Sequence, residues 1–226
     1  RGTSKQYMQR TQKIGFAVLT MDKKIRRGKA LWTHLKEEGP EYEIYNKQPM
    51  FRYNTYFGIN TVHYFDLIQY TPAASLPLIS IVTSTLLTTT AKGAAATGNA
   101  ERVLSYFGEN LFKRMDAIKF FSWIGDDGFP TIIPVIQCQC ADSSRLVFNP
   151  GAFGAELKML KPGMNIAVFC LTMQMTNVLV RGVFKGYSRH RGIKLGIIDI
   201  DWVYNSMPPN HGQIYPQVPL ERVVNF

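Results

Sequence analysis

Short apolar runs separated by turn residues make up most of the chain. A run at 14–21 and an alternating stretch at 56–70 predict strands in the N-terminal part. Later runs predict strands at 117–124, 129–140, 145–148, 165–174, 177–186 and 195–203. Short helices are predicted at 30–38, before Gly39 and Pro40, and after a capping Asn99. This order predicts a mainly β protein with a few helices, built as a small antiparallel barrel.

A weak internal repeat divides the chain into two related halves. Residues 57–65 align with 195–203, and the strand at 14–21 aligns with 166–173. We therefore predict two related barrels: a partial first barrel at 1–71, a connector at 72–98, and a second barrel at 99–226 with a proline-rich C-terminal tail. Since nothing in the first half corresponds to 117–148, its opening strands are expected before Arg1.

The segment 67–91 contains 25 residues without a charge, which is long enough to span a membrane. Pro72 and Pro77 interrupt it, and it is rich in threonine, so we interpret it as a connector and expect no membrane span. The small residues of 92–98 are typical of a flexible linker.

Charge and cysteine content indicate the class of partner and the cellular compartment. The chain has 26 Lys and Arg against 16 Asp and Glu, a net charge of +10, which favours an anionic partner. A dense basic run at 23–29 indicates a solvated hairpin end or, alternatively, a phosphate or nucleic-acid surface. Three cysteines cannot form a closed disulfide framework, so a cytoplasmic location is expected.

Familiar catalytic motifs are missing from the sequence. It contains no P-loop, no dinucleotide-binding glycine motif and no HExxH or GxSxG motif. Cys138 and Cys140 lack further ligands at zinc spacing, so no metal site is predicted. Nine aromatic residues between Tyr42 and Tyr70 are typical of a stacking platform, a core or a dimer interface.

One family resemblance comes from the ordered series of elements. Two strands joined by the turn at 125–128, with prolines at 130 and 134, resemble the opening hairpin of the pyridoxamine 5′-phosphate oxidase-like, FMN-binding split-barrel family. The third strand at 145–148, a short helix near 154–160 and the strand at 180–184 continue the resemblance. It covers residues 99–206 well and 1–70 more loosely.

The resemblance implies FMN as the cofactor and a set of residues that contact it. The segment that holds the flavin phosphate would be residues 1–5, whereas its counterpart at 149–154 has lost its basic and hydroxyl residues. Guanidinium, ammonium, hydroxyl and backbone N–H groups are suitable phosphate donors. The ring would lie against the second barrel. The implied contact residues are Arg1, Thr3, Ser4, Lys5, Trp123, Thr131, Ile132, Ile133 and Gln137.

The sequence therefore predicts an FMN-binding flavoprotein that acts as an oxidoreductase, with a nicotinamide or another small redox substrate and no identifiable catalytic residue. The two barrels would pair as a homodimer or as a pseudo-dimer within one chain. The alternative is a non-catalytic flavin or haem binder, an electron carrier or a structural subunit. Nucleic acid is not expected as a partner.

Overall fold

The structure is a computed structural model that describes residues 4–48, 59–99, 101–205 and 212–218. The chain forms two units. The first comprises Arg1–Ser75 and Ile124–Pro130, and the second comprises Leu76–Trp123 and Thr131–Phe226. Both units are built on antiparallel sheets with a few short helices, so the predicted mainly β fold class is confirmed.

The first unit is a small sheet with two helices. Its elements are α1 (Ser4–Thr11), β1 (Lys13–Leu19), β2 (Lys24–Lys36), α2 (Pro40–Asn46), β3 (Val62–Tyr70) and β4 (Ala74–Ser75). The strand order is β1-β2-β3, and β4 also pairs with β2. The predicted helix at 30–38 is wrong, because residues 30–36 continue β2, which hydrogen-bonds to a strand on each side. Pairing with two neighbours outweighs a weak local helix preference.

The tip of the hairpin predicted at 117–140 belongs to the first unit. Gly125 N donates to Phe129 O at 2.9 Å, which closes the turn. Lys13 Nζ donates to Asp127 O at 2.9 Å, and Lys29 forms an ion pair with the Asp127 carboxylate at 2.5 Å. Gly15 lies so close to Pro130 that a Cβ would come within 2.3 Å of the proline carbonyl oxygen. Glycine is therefore required at position 15 for this contact.

The second unit contains the larger sheet. Its elements are α3 (Leu78–Ala91), a 3-10 turn (Lys92–Ala95), α4 (Tyr106–Lys113), β5 (Ile118–Ile124), β6 (Pro130–Pro134), β7 (Gln139–Asp142), β8 (Arg145–Phe148), α5 (Gly154–Leu157), β9 (Asn165–Leu171), β10 (Asn177–His190), β11 (Ile193–Asn205) and β12 (Gly212–Tyr215). The strand order is β6-β5-β9-β10-β11-β8-β7, with β12 on β11. The predicted strands are all present, except that the run at 129–140 is divided between β6 and β7 by a turn.

The interior of this unit follows from strand alternation. Phe121, Val168, Val180, Phe184 and Ile198 all lie on inward-facing positions and are fully buried. Helix α4 adds Leu111 and Phe112 to the same core, and it begins at Ser105, whose side chain accepts from Gly108 N, rather than at Asn99.

The predicted connector at 72–98 contains helix α3, and the first half of its predicted flexible part, 92–98, is the 3-10 turn. Helix α3 spans 14 residues. The hydroxyl groups of Thr85, Thr88 and Thr89 donate hydrogen bonds to the carbonyl oxygens four residues earlier in the helix. This bonding satisfies β-branched polar residues that otherwise disfavour a helix. In the described part of the chain, no helix is long and apolar enough to cross a membrane.

The two units repeat one three-stranded meander with the same irregularities. In β10–β11 the register shifts between Arg181 and Gly182 and again between Phe184 and Gly186. In β2–β3 it shifts between residues 29 and 30 and again between 32 and 34. Residue 29 thus corresponds to 181 and residue 32 to 184, the same correspondence that aligns 14–21 with 166–173.

The third strand needs a corrected alignment. Leu67 pairs with Ala30, and Ile200 pairs with Gly182, so residues 62–70 correspond to 195–203. The sequence alignment of 57–65 with 195–203 was displaced by the few shared residue types. The two bulges identify equivalent positions more reliably than the few shared residue types do, because each bulge inserts one residue at a defined position of the strand pairing.

Candidate functional site

The predicted phosphate segment is only partly covered by the described residues. Arg1 and Thr3 lie outside them. Ser4 and Lys5 begin helix α1, and their side chains are also outside what is described. Their assignment to the flavin phosphate therefore stays a prediction.

The predicted ring contacts fall into two groups. Trp123 and Ile133 are buried in the core of the second unit, and Trp123 is 3% exposed. Thr131 and Ile132 on β6 are half-buried, so part of each side chain is accessible. A ligand at β6 would therefore meet Thr131 and Ile132 first.

Gln137 is the most unusual of the predicted residues. It lies in the turn between β6 and β7 and is fully buried. Its Nε2 donates to Asn149 O at 3.1 Å and to Ala152 O at 3.2 Å, which fixes the orientation of the amide. Its Oε1 is buried and has no hydrogen-bond donor among the described residues. An unsatisfied buried acceptor costs roughly 1–3 kcal/mol, so this atom is suited to a ligand N–H group.

The loop at 149–154, the second counterpart of the phosphate segment, is held by its own neighbours. Asn149 N donates to Thr88 Oγ1 at 2.9 Å, and Asn149 Nδ2 donates to Lys194 O at 2.9 Å. Gly151 N donates to Asn149 Oδ1 at 3.0 Å. A Cβ on Gly151 would come within 2.5 Å of Ser84 Oγ, so helix α3 packs directly on the loop.

These contacts decide whether an FMN phosphate fits this loop. The segment 149–154 contains no basic or hydroxyl residue, and two of its backbone N–H groups are already used internally. A phosphate monoester requires several charge-assisted donors, so the loop does not fit one. By contrast, Gln137 Oε1 is an acceptor without a donor among the described residues, which suits a ligand N–H group.

Sequence reasoning missed a buried lysine at the end of helix α4. Lys119 is 1% exposed, and its Nζ donates to Arg114 O at 2.6 Å. It lies opposite Cys170, whose Sγ donates to Leu111 O at 3.7 Å. Burial lowers the pKa of Lys119. Both side chains cap the last carbonyls of the helix, where a positive charge is favourable. The only sequence signal was one lysine within the apolar run 117–124.

The described residues were also compared with the ligand sets of metal sites. Within the described ranges, no group of three or more His, Cys, Asp or Glu residues could hold a metal ion. His63 Nδ1 accepts a hydrogen bond from Trp32 Nε1 at 3.0 Å. Burial raises the pKa of the Cys170 thiol to about 12, and Cys138 and Cys140 are shifted in the same direction. These thiols are therefore neutral core residues rather than reactive thiolates.

Among known proteins, similarity to this chain is found with solved structures. The chain is similar to HupZ of Group A Streptococcus, with a TM-score of 0.38 and 12% identity over 46% of this chain and 94% of that one. It is also similar to a proposed pyridoxamine 5′-phosphate oxidase of Lactobacillus delbrueckii, with a TM-score of 0.35 and 17% identity over 46% of this chain and 96% of that one. No protein-family model and no curated protein matches the sequence. The likeness concerns the general fold.

Proposed function

We propose that this chain is an FMN-binding flavoprotein of the split-barrel type that serves as an oxidoreductase. The observation that carries the proposal is the buried Oε1 of Gln137, an acceptor that lacks a donor in the described structure. The half-buried Thr131 and Ile132 lie on β6, the strand that precedes this turn.

A flavin ring carries the hydrogen-bond donor that this acceptor lacks. Its pyrimidine edge carries one N–H group, N3–H, while the rest of the ring is flat and largely apolar. N3–H would donate to Gln137 Oε1, and the apolar part would pack on side chains such as Ile132. Because Gln137 is fully buried, the atoms that now cover Oε1 must move when the ligand binds.

The chain itself would bind and orient the cofactor. Bound flavin supplies hydride and electron transfer. Thr131, Ile132 and Gln137 do not titrate in the neutral range, so we assign none of them as a general acid or base. The redox substrate is proposed to be a nicotinamide or another small molecule.

A flavin analogue tests this contact without changing the protein. Riboflavin and its N3-methyl derivative would be titrated into the full chain, with binding followed by flavin fluorescence. Loss of the N3–H donor should weaken binding about tenfold or more, since one buried hydrogen bond would be lost. Equal affinities, or no binding of either flavin, would overturn the proposed contact with Gln137.

A second experiment tests the phosphate prediction. Lys5→Ala should weaken FMN binding by about 1.5–3 kcal/mol, the usual range for a charge-assisted hydrogen bond, and leave riboflavin binding nearly unchanged. Lys158→Ala, on an exposed lysine of the second unit, is the matched control. If Lys5→Ala weakens both flavins equally, residue 5 does not contact the phosphate.

A further inference from the structure

Helix α3 is amphipathic in the opposite sense to an ordinary surface helix. It contains no charged residue. The residues that it buries are mainly small or polar, namely Ile81, Ser84, Thr85, Thr88 and Ala91. The large side chains that it exposes are all aliphatic, namely Leu78, Ile79, Val82, Leu86 and Leu87. A helix that packs on a protein core usually buries its apolar side and exposes charged residues, so the exposed side of α3 is suited to an apolar partner.

Hydrogen bonds fix the helix in this orientation. Thr88 Oγ1 accepts from Asn149 N at 2.9 Å, and Thr89 Oγ1 accepts from Gln139 Nε2 at 2.7 Å. These bonds connect the polar side of the helix to the loop at 149–154 and to strand β7. A rotation that buried the leucines would break both bonds and leave polar groups without partners. The aliphatic side chains therefore stay exposed.

Three of these aliphatic residues form a continuous stripe. Ile79, Val82 and Leu86 are three and four residues apart, a spacing that places side chains on one side of a helix. Ile79 is 85% exposed, Val82 50% and Leu86 59%. We call these three residues the outer face of α3. Neighbouring exposed apolar side chains that form a patch are typical of an interaction site.

A basic turn adjoins the end of the outer face. Arg191 Nη1 donates to Thr90 O at 3.2 Å. Thr90 follows Leu86 by four residues and lies on the same side of the helix. The turn between β10 and β11, residues 189–194, contains no acidic residue. Its basic residues and histidine are Arg189, His190, Arg191 and Lys194. An uncharged aliphatic stripe and a positively charged turn are thus adjacent on the surface of the second unit.

We infer that the outer face and the basic turn together bind the surface of an anionic lipid bilayer. Ile79, Val82 and Leu86 insert between the headgroups and reach the acyl chains, and Arg189 and Arg191 contact the lipid phosphates. The helix lies along the bilayer surface, because its polar side remains bonded to the protein. This inference goes beyond the proposed function and does not depend on flavin.

A bilayer provides both of the features that this surface requires. Its apolar interior accepts aliphatic side chains, and inserting the outer face desolvates no charge. Its anionic headgroups attract the basic turn. Three aliphatic side chains anchor a protein only weakly, so stable binding needs the electrostatic attraction as well. Binding is therefore expected to be reversible and to weaken as salt is added.

The first test is co-sedimentation of the full chain with lipid vesicles. Vesicles of phosphatidylcholine with about one third phosphatidylserine should bind the wild type at least tenfold more strongly than vesicles of phosphatidylcholine alone. Leu86→Glu should weaken binding to the anionic vesicles at least tenfold, because it places a charge in the acyl region. The matched control is Met173→Glu. Met173 is 61% exposed and lies in the turn after β9, at the opposite end of β10 from the basic turn.

The control should bind the anionic vesicles as the wild type does. A wild type that does not bind these vesicles, or equal losses for both variants, would overturn the inference. Sedimentation velocity without vesicles gives a further check. If Leu86→Glu, but not Met173→Glu, dissociates an oligomer of the wild type, the outer face contacts a second copy and the inference is wrong.

The second test separates the basic turn from the net charge of the chain. Arg189→Gln with Arg191→Gln removes two positive charges from the turn. Lys113→Gln with Arg114→Gln removes two from exposed residues at the end of α4 and is the matched control. The first pair should weaken binding to the anionic vesicles about tenfold or more, since each charge at the bilayer surface contributes separately. The control should change it less than about threefold. Equal losses would show a general charge effect and contradict binding through the turn.

Discussion

In the β9–β10–β11 meander the side chains of the interior face are buried, whereas in β1–β2–β3 the equivalent side chains of Val18, Phe65, Leu67 and Tyr70 are 41–65% exposed. The backbone irregularities of the two are the same: both central strands shift register at corresponding positions against the following strand. The hydrophobic character of the face is also retained, since Ile200 corresponds to Leu67 and Ile198 to Phe65. The two meanders therefore share their backbone pattern but not their burial. Whether the interior face is covered depends on the neighbouring elements and not on the bulges.

In the second unit those neighbours are identifiable. Strand β5 pairs with β9, strand β8 pairs with β11, and helix α4 closes the end of the core. Within the described residues, the sheet of the first unit contains only β1 to β4. The same meander is therefore a barrel wall in one unit and an open sheet in the other.

The largest expected difference between the units is the cost of removing an interior side chain. Ile198→Ala should lower the free energy of unfolding by about 2–5 kcal/mol, because Ile198 is fully buried and a cavity would remain. Phe65→Ala, at the equivalent position, should cost less than about 1 kcal/mol, since Phe65 is already 41% exposed. Urea unfolding followed by circular dichroism measures both. Equal costs would show that the two faces are buried alike in solution.

The sequence predicted the strands of the second meander better than those of the first. Apolar runs such as 14–21 and 195–203 have nearly the observed bounds, because strand-length runs of apolar and β-branched residues indicate a buried strand directly. Helix α3 was missed because threonine disfavours helices unless its hydroxyl bonds back to the helix, which is a feature of the folded chain. The part of β2 after Ala30 was assigned to a helix because pairing with β3 is non-local.

In the candidate site, too, the sequence predicted individual residues but not the non-local contacts that hold them. The family resemblance pointed to Gln137, and the buried amide of this residue has an unused acceptor. The contacts that fix it, to the carbonyls of Asn149 and Ala152, depend on how a distant loop folds back. Lys119 could not be recognised as buried, since lysine is rarely found inside a barrel and its partner, the carbonyl of Arg114, carries no sequence signal.

A smaller effect is expected at two glycines over which a phenylalanine ring packs. Gly196→Ala should cost about 1–3 kcal/mol, because a Cβ would come within 2.3 Å of the fully buried Phe148 ring. Gly28→Ala overlaps the Phe16 ring, which is half-buried and can move outward, but it also brings the Cβ within 2.8 Å of the backbone oxygen of Gln69, so a loss of about 1–2 kcal/mol is expected. The free energies of unfolding measured by urea unfolding compare the two variants. A larger loss for Gly28→Ala than for Gly196→Ala would contradict this order.

The last expected difference is a pH dependence of the free energy of unfolding that is confined to the buried face of the second unit. Burial raises the pKa of the Cys170 thiol, which in an unfolded chain is about 8.5, to about 12. Above pH 9 the unfolded chain therefore loses this proton while the folded chain keeps it, and stability falls by about 1.4 kcal/mol per pH unit from this group. Cys138 and Cys140 act in the same direction.

Cys170→Val isolates that contribution, because valine is the residue at the equivalent position of the first unit, Val18. Between pH 9 and 12, the free energy of unfolding of the variant should fall less steeply than that of the wild type by about 1.4 kcal/mol per pH unit. The reciprocal control, Val18→Cys, places a thiol on a side chain position that is 52% exposed and should leave the slope unchanged. Both slopes follow from urea unfolding at pH 8, 9, 10 and 11. Parallel curves for Cys170→Val and the wild type would show that the Cys170 thiol has the same pKa in the folded and the unfolded chain. The interior face of the second unit would then be accessible to water at this position.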